Sequence, residues 1–197
     1  MTAVAAQIRP LAKAEKAKRL ITLETFVRLY SNKSDGYRYE WNNGVVEKTT
    51  RNMNRSQLYI AQNLTRLFSH TKAYRERGEL DKEVIMFLPD ANRNRIADLA
   101  YLTKEQLQEV DDLKPSLSPF VIEIISKNDT SYELEKKLSQ YFDNGVEVVW
   151  QILPQLQTVY VYTSLETVKI CRGATICSAS PVLADFNIAA QDVFALR

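Results

Sequence analysis

The amino-acid sequence predicts a mixed α/β domain in which a mixed β-sheet carries helices on its faces. Segments with helical and strand periodicity follow one another in the order helix, hairpin, helix, strands, helix, strands. Asn43-Gly44 separates two alternating runs, which is the strongest short-range hairpin signal. An apolar run at 119–126 precedes a helical segment and a second apolar run at 146–153. That passage predicts two parallel strands joined by a right-handed crossover.

The first part of the chain is predicted to form a short helix, the hairpin and one long helix. The short helix starts at Thr22, because apolar residues follow at helical spacing as far as Tyr30. Glu40 lies on the first strand of the hairpin, just before the turn. The long helix extends from about Asn54 to Glu76, since its apolar residues recur every three or four positions.

The second part is predicted to form strands around one further helix. That helix follows the apolar run at 119–126, and Gly145 is predicted to end it, because glycine readily adopts the left-handed conformation found after helix C-termini. Pro154 marks a loop between two strands. The predicted strands comprise residues 81–88, 95–103, 119–126, 146–153, 158–163 and 167–173.

Composition excludes several classes of protein. The net charge of +2 is too near neutral to indicate nucleic-acid binding by itself. The chain has no run of about 18 apolar residues, so no membrane span is predicted. Residues 1–20 form a basic tail without the apolar core of a secretory signal, which favours a cytoplasmic protein. The single histidine, His70, excludes a histidine-rich zinc site, and Cys171 and Cys177 are expected to be reduced thiols.

Two carboxylates lie inside strands that are otherwise apolar. Glu123 lies within PFVIEII and Asp98 within RIADLAYL, where alternation places Asp98 on the face of Ile96 and Ala100. If the two strands pair with these acids aligned, the carboxylates meet and repel each other unless a cation lies between them. A hard divalent cation such as Mg²⁺ suits oxygen ligands of this kind. The alternative is that each acid pairs separately with a basic side chain, for which Arg95 is a candidate.

The helix that follows Glu123 supplies a basic group. On a wheel of about 100° per residue, Lys137 lies at the edge of the apolar stripe and is predicted to reach towards the strand. Lys136 lies nearly opposite and is predicted to point into water. The alternative for Lys137 is that its amphipathic side chain extends outward to solvent. Tyr141, which belongs to the stripe, is expected to be a core residue.

These residues carry a resemblance to a known group of proteins. An acid in one strand, a second acid in the next apolar strand and then a lysine resemble the PD-(D/E)XK superfamily of restriction-endonuclease-like nucleases. The chain is most similar to a bacterial branch of that superfamily that is assigned to restriction endonucleases. The resemblance covers about residues 22–161 and implies a restriction-endonuclease-like sheet within one nuclease-like domain, residues 21–197. The matching residues are Tyr39-Glu40 with Gly44, Ala97-Asp98, residues 121–126 around Glu123, and Lys137, Tyr141, Gly145, Val146 and Trp150.

The resemblance implies a role for each site residue. Asp98 and Glu123 would bind Mg²⁺, or Mn²⁺ in its place, together with the backbone carbonyl of Ile124. Lys137 would orient the attacking water and the phosphate. Glu40 would complete the catalytic site from the N-terminal side. The implied reaction is hydrolysis of a DNA phosphodiester by attack of a metal-activated water.

Two positions depart from the family pattern. The proline that precedes the first acid in the family is Ala97 here, and its role there is structural. The family lysine two residues after the second acid is replaced by Ile125. The branch that the chain resembles takes its lysine from the next helix, and Lys137 fits that position. If Lys137 points elsewhere, the enzyme hypothesis fails although the fold survives.

Four further residues are candidates for substrate contacts. Arg95 is expected to contact either a phosphate or one of the acids. Ser126 either touches the site or makes a local backbone hydrogen bond, which is the commoner role of such a serine. Arg51 and Arg55 lie before and at the start of the long helix, where they would touch a DNA backbone or simply form a solvated helix start.

Three functions therefore remain open on the sequence. The first is a metal-dependent endonuclease that acts on DNA, with homodimerisation as a means of cutting both strands. The second is a nuclease-fold module that binds nucleic acid or a protein without turnover. The third is an assembly protein whose acids pair with Arg95 and Lys137 as structural salt bridges. The third predicts that no cleft surrounds Asp98.

Overall fold

A computed structural model describes residues 20–50, 55–109 and 113–195 of the 197-residue chain. The predicted basic tail therefore lies outside the described residues except for Leu20. Arg51, which was a candidate for contacts with DNA, also lies outside them.

The structure confirms the predicted mixed α/β architecture. An eight-stranded sheet forms the centre of the molecule, and its strands run in the order β2-β1-β4-β5-β6-β7-β8, with β3 paired to β4. A separate two-stranded sheet contains β9 and β10. The strands are β1 (Tyr37–Asn42), β2 (Val45–Thr50), β3 (Glu79–Leu88), β4 (Arg93–Leu102), β5 (Phe120–Ile124), β6 (Val148–Leu153), β7 (Thr158–Tyr162), β8 (Val168–Arg172), β9 (Ile176–Ala179) and β10 (Leu183–Ala189).

The helices agree with the sequence except at one break. The short N-terminal helix α1 (Leu23–Phe26) is capped by Thr22 and continues as a π-helical turn over Val27–Ser31. The prediction of one continuous helix over 54–76 is wrong, because the chain forms α2 (Arg55–Phe68) and then α3 (Lys72–Arg75). The remaining helices are α4 (Lys104–Leu107), α5 (Ser131–Asp143) and α6 (Ala190–Val193).

Thr71 causes the break between α2 and α3. Its backbone is extended, with ψ at 162°, and its hydroxyl accepts a hydrogen bond from the amide of Tyr74. A residue in this conformation caps a new helix and cannot continue an old one. The apolar spacing persists across the break, since both Phe68 and Ala73 pack in the same core, and that spacing alone cannot reveal the interruption.

The structure confirms the predicted hairpin turn and the predicted crossover between parallel strands. Asn43 and Gly44 both have positive φ, at 47° and 89°, which is the backbone of a type I′ hairpin turn. Strands β5 and β6 pair in parallel, joined through α5 as predicted. Gly145 has φ at 96° directly after the C-cap residue Asn144. Glycine meets that conformational requirement at low cost.

Helices cover both faces of the sheet. On one face, Ile60 and Leu64 of α2 pack in a core cluster with Ile122 of β5. On the other face, Leu138 of α5 packs in a second cluster with Val121 of the same strand. All five residues of β5 are therefore buried, with packing on both sides of the strand.

The C-terminal segment extends the first of these clusters. Strands β9 and β10 were not predicted, and they place Phe186 against Trp150 with stacked rings at 5.5 Å. Cys171 and Cys177 are buried free thiols, as the sequence predicted.

A fork in the sheet is the feature that creates the candidate site. One edge of β4 pairs with β3 over residues 93–102. The other edge pairs with β1 at Arg93 and with β5 at Leu99 and Ala100. Between these points, at residues 94–98, β1 and β5 diverge from β4. Among the described residues, part of this edge of β4 therefore has no strand partner, and side chains bind its backbone instead.

Candidate active site

Side chains of the predicted site satisfy the backbone at this fork. Glu40 Oε1 accepts a hydrogen bond from the amide of Ile96 at 3.0 Å, and Lys137 Nζ donates to the carbonyl of Ile96 at 3.3 Å. Asp98 Oδ2 accepts from the amide of Ile124 at 2.8 Å. Buried backbone groups need such partners where strand pairing stops. The fork therefore fixes three of the four predicted catalytic side chains by their bonds to the sheet itself.

The two central acids lie opposite each other, as the sequence hypothesis required. The pairing of Leu99 with Ile122 and of Ala100 with Val121 defines a register that continues to Asp98 and Glu123. The ladder ends there, because the Asp98 carboxylate takes the amide hydrogen bond of β5 in place of a strand partner. Asp98 is 9% exposed and Glu123 is 6% exposed.

Glu123 is held by two residues of helix α5. Lys137 Nζ lies 2.7 Å from Glu123 Oε2, and the Tyr141 hydroxyl donates to Oε1 at 2.6 Å. Lys136, by contrast, is exposed. The wheel argument for the two lysines is thus confirmed, and Lys137 does not extend outward to solvent. Tyr141 is a core residue as expected, but the sequence did not assign it this hydrogen bond.

Burial dominates the titration of Glu123. Loss of solvent raises the pKa of Glu123 from its ordinary value of 4.5 to about 6, because burial penalises the charged form. The Lys137 ammonium opposes that rise, the Asp98 charge adds to it, and the hydrogen bond from Tyr141 opposes it. Burial, followed by the Glu123 charge, raises the pKa of Tyr141 well above 10, so its hydroxyl keeps its proton and remains a donor.

Asp98 has a partner that the sequence did not predict. Arg38 of β1 places Nη1 at 3.0 Å from Asp98 Oδ1. The same guanidinium binds Glu83 Oε1 through Nε at 3.1 Å and Nη2 at 2.9 Å. The alternative of a separate ion pair for each acid therefore describes this state of the molecule, but with Arg38 in place of Arg95. Strand alternation could have indicated this contact, because Arg38 lies on the same face of β1 as Glu40, which was predicted to belong to the site.

The strand geometry is irregular where Glu83 faces Asp98. Glu83 has φ at 54°, in the left-handed region that residues with a Cβ seldom adopt. Strict alternation would put Ala97 and Leu99 on one face, yet they pack in different core clusters. The predicted common face for Ile96, Asp98 and Ala100 is therefore interrupted at Asp98.

Glu40 is bound by two buried arginines. Its Oε2 lies 2.9 Å from Arg95 Nη1 and 3.1 Å from Arg93 Nη2. Arg95 also donates through Nε and Nη2 to Gln140 Oε1, at 3.1 and 2.8 Å. Of the two roles expected for Arg95, the contact with an acid is the one observed, and the acid is Glu40. These bonds hold Glu40 in place beside the fork.

The carbonyl of Ile124, an implied metal ligand, accepts a hydrogen bond from Gln57 Nε2 of α2 at 2.8 Å. A carbonyl oxygen has two lone pairs, so this bond leaves acceptor capacity for a cation. Carboxylates and a carbonyl form the hard oxygen set that Mg²⁺ and Mn²⁺ bind, and Mg²⁺ commonly takes only one or two carboxylates plus phosphate and water oxygens. Among the described residues, no three His, Cys, Asp or Glu side chains form a ready metal cluster.

A cleft of about 960 Å³ opens on the fork. Asp98, Glu123 and Lys137 all line it, together with Glu40 and the loop that follows β5. The assembly-protein hypothesis predicted no cleft around Asp98, and this cleft contradicts it.

A comparison with protein families now decides the family of the chain. A family model described as "Uma2: Putative restriction endonuclease" matches residues 23–191. The chain belongs to this family. The Uma2 match spans the whole fork, from α1 to α6, and confirms the resemblance that the sequence motifs carry.

A solved structure has the same fold as this Uma2 protein. It is the crystal structure of a putative nuclease belonging to DUF820 from Anabaena variabilis ATCC 29413. The TM-score is 0.71 at 14% sequence identity, over 88% of this chain and 97% of the other. At that identity the likeness shows the fold alone. No curated protein matches the chain. Within the described residues, no helix combines the length and apolarity that a membrane crossing needs.

The predicted substrate contacts of the Uma2 chain differ in where they lie. Ser126 lines the cleft, and its hydroxyl accepts a local hydrogen bond from the amide of Asn128 at 3.3 Å. Arg55 is exposed at the first residue of α2 and does not line the cleft. Arg51 lies outside the described residues.

Three side chains that bind residues of the candidate site were not predicted from the sequence. Gln57 could have been found from the sequence, because it is a polar residue three and four positions before Ile60 and Ala61 on the buried face of α2. Arg38 had the weaker strand-face signal described above. Glu83 had none, because its position depends on the irregular backbone of β3.

Proposed function

We propose that the protein is a divalent-metal-dependent endonuclease that hydrolyses DNA phosphodiester bonds. One observation carries the proposal: Asp98 and Glu123 extend from adjacent strands in register, beside the Lys137 ammonium, at the base of an open cleft. Two carboxylates beside a lysine in a cleft are suited to phosphoryl chemistry. The family description, which names restriction endonucleases, supports DNA as the substrate.

Asp98, Glu123 and the Ile124 carbonyl would hold the metal ion. When bound there, Mg²⁺ or Mn²⁺ lowers the pKa of water and neutralises charge that develops on the phosphate. Ionised Glu123 is the form that binds a cation, and burial raises its pKa to about 6, so a metal ion would compete with a proton for this carboxylate.

Lys137 and Tyr141 act on the reacting groups through position and charge. Lys137 lies 2.7 Å from Glu123 and offers an ammonium charge to a phosphate oxygen in the cleft. Tyr141 fixes the direction of the Glu123 carboxylate through its hydroxyl hydrogen bond. Glu40 lies across the fork, held by Arg93 and Arg95, and lines the same cleft as an additional acidic group.

A second candidate function is a nuclease-fold module that binds nucleic acid or a protein without turnover. The observation that favours it is the pairing of each carboxylate with a resident cation, Arg38 for Asp98 and Lys137 for Glu123. Calorimetry separates the two proposals, because an enzyme of this kind binds Mn²⁺ through Glu123 whereas a binding module has no need to do so.

The substitution Glu123→Gln tests the proposed reaction. It removes the carboxylate charge but keeps the shape of the side chain, so we expect loss of metal-dependent cleavage of a plasmid with an unchanged circular dichroism spectrum. Glu135→Gln is the matched control, since Glu135 is an exposed residue of helix α5 that does not line the cleft. Equal cleavage by the wild type and Glu123→Gln would refute the proposal.

A further inference from the structure

Arg38 connects the two acids that face each other across strands β3 and β4. Its guanidinium makes three hydrogen bonds, two to Glu83 and one to Asp98. Its side chain is only 20% exposed. Burial disfavours its charge, yet the attraction of Asp98 and then Glu83 raises the pKa of Arg38 above its ordinary value. Arg38 is therefore a permanently charged group, held between two carboxylates.

The bond from Arg38 places a positive charge next to Asp98, the carboxylate that would bind a metal ion. Asp98 Oδ2 accepts from the Ile124 amide, and Oδ1 accepts from Arg38. A divalent cation that approaches the cleft side of Asp98 meets the guanidinium charge at close range, where repulsion is strong in a partly buried site. Metal binding and the Arg38–Asp98 bond therefore oppose each other.

The surroundings of Arg38 allow it to leave Asp98 without becoming unpaired. Glu83 binds two of its nitrogens in a geometry that does not involve Asp98. A second, small cavity of about 70 Å³ lies beside Arg38 and is lined by Tyr39, Glu83 and Ile85 among others. Arg38 lines both this cavity and the main cleft. The guanidinium thus has a retained partner and adjacent space.

We propose that Arg38 is the exchangeable counter-ion of Asp98, which neutralises that carboxylate in the metal-free protein and is retained by Glu83 when a metal ion displaces it. The inference rests on the proposed function in one respect, namely that Asp98 is a metal ligand. Arg38 is a positioning residue in this scheme. Arg38 lowers the affinity of the site for a metal ion, because its charge must first leave Asp98. Glu83 favours metal binding, because it keeps the displaced guanidinium paired.

The left-handed backbone of Glu83 fits this role. Glu83 lies directly opposite Asp98 between the paired residues Lys82–Leu99 and Val84–Ala97. An unfavourable φ of 54° persists only where the surrounding contacts enforce it, and such residues concentrate at functional sites. The two hydrogen bonds from Arg38 are contacts of this kind.

Isothermal titration calorimetry of the full chain with Mn²⁺ alone tests the exchange. We expect Arg38→Gln to bind Mn²⁺ about tenfold more tightly than the wild type, and Glu83→Gln to bind about tenfold more weakly, within the usual range of coupling between two ligands. Lys127→Gln and Glu133→Gln are the matched controls, because both residues are exposed and line the cleft from the segments that follow β5. They are expected to change the affinity by less than about twofold.

Each outcome of this titration has a distinct meaning. If the wild type binds Mn²⁺, Glu123→Gln does not, and Arg38→Gln binds no more tightly than the wild type, the exchange is refuted while the proposed function stands. If the wild type binds no Mn²⁺, the proposed function fails first. Thermal unfolding shows whether Arg38→Gln folds. If it does not fold, the Glu83→Gln variant provides the test. Mn²⁺ binding by Glu83→Gln that is as tight as in the wild type, or tighter, refutes the exchange.

Discussion

The two central carboxylates face each other across one pair of strands but are supported from different parts of the chain. Glu123 binds Lys137 and Tyr141, which are 14 and 18 residues away on the helix that directly follows its strand. Asp98 binds Arg38, which lies 60 residues earlier on the hairpin. Glu123 thus takes its hydrogen-bond partners from a single strand–helix unit, whereas Asp98 takes its partner from a strand that is distant along the chain.

This difference separates two kinds of ion pair. The Glu123 side is buried, its lysine and tyrosine are fixed by the same helix, and its carboxylate has a pKa of about 6. The Asp98 side shares its arginine with Glu83, and that arginine borders two cavities. Under the proposed function, the Glu123 cluster is expected to stay in place, whereas the Asp98 cluster rearranges when a metal ion binds.

The substitution Lys137→Met tests the Glu123 cluster with the largest expected effect. It removes the ammonium group and leaves an uncompensated buried carboxylate, so we expect cleavage to fall by at least about 100-fold. Single-turnover cleavage of a labelled duplex measures the change. Lys136→Met, on the exposed side of the same helix, is the control and should cleave like the wild type. A loss of only a few-fold in Lys137→Met would show that Lys137 has a structural role alone.

The pH dependence of stability tests the fixed character of the same cluster. Because burial raises the pKa of Glu123 to about 6 in the folded protein, the folded state binds more protons than the unfolded state between pH 4.5 and about 6. Stability therefore falls as pH rises through that window, and the carboxylate costs about 2 kcal/mol above it. Glu123→Gln lacks this ionisation. The free energy of unfolding of the wild type, relative to Glu123→Gln, should therefore fall between pH 4.5 and 7.5.

Urea unfolding at both pH values measures that difference. A constant gap between wild type and Glu123→Gln across the window would mean that Glu123 titrates as an exposed carboxylate does. The comparison between the two clusters would then lose its electrostatic basis, although the hydrogen-bond geometry would remain.

The substitution Tyr141→Phe has a smaller expected effect on the same side. It removes the hydroxyl that donates to Glu123 Oε1 in a fully buried position. We expect the free energy of unfolding at pH 7.5 to fall by about 1–2 kcal/mol, and less at pH 4.5, where Glu123 is protonated. Tyr132→Phe is the control, because Tyr132 is 72% exposed on the same helix. An equal loss at both pH values would show that packing, and not the charged hydrogen bond, is responsible.

The sequence predicted those parts of the site that lie within one local unit. Periodicity placed Lys137 towards the sheet and Lys136 towards solvent, because a helix fixes the relative directions of neighbouring residues. It placed Glu123 inside a strand because apolar residues flank it on both sides in a run of strand length. It failed over 54–76, where the apolar spacing of α2 and α3 continues across a capped break at Thr71.

The sequence by itself determined the mixed sheet, the hairpin at Asn43-Gly44, the crossover through α5 and the two acids as members of neighbouring strands. Tertiary structure alone decided that β1 and β5 diverge along one edge of β4, that Arg38 reaches Asp98, and that Glu83 turns to meet it. The physical reason is one of range. Dihedral preference and side-chain periodicity act over a few residues, whereas the partner of a buried charge is selected by the packing of strands that are distant along the chain.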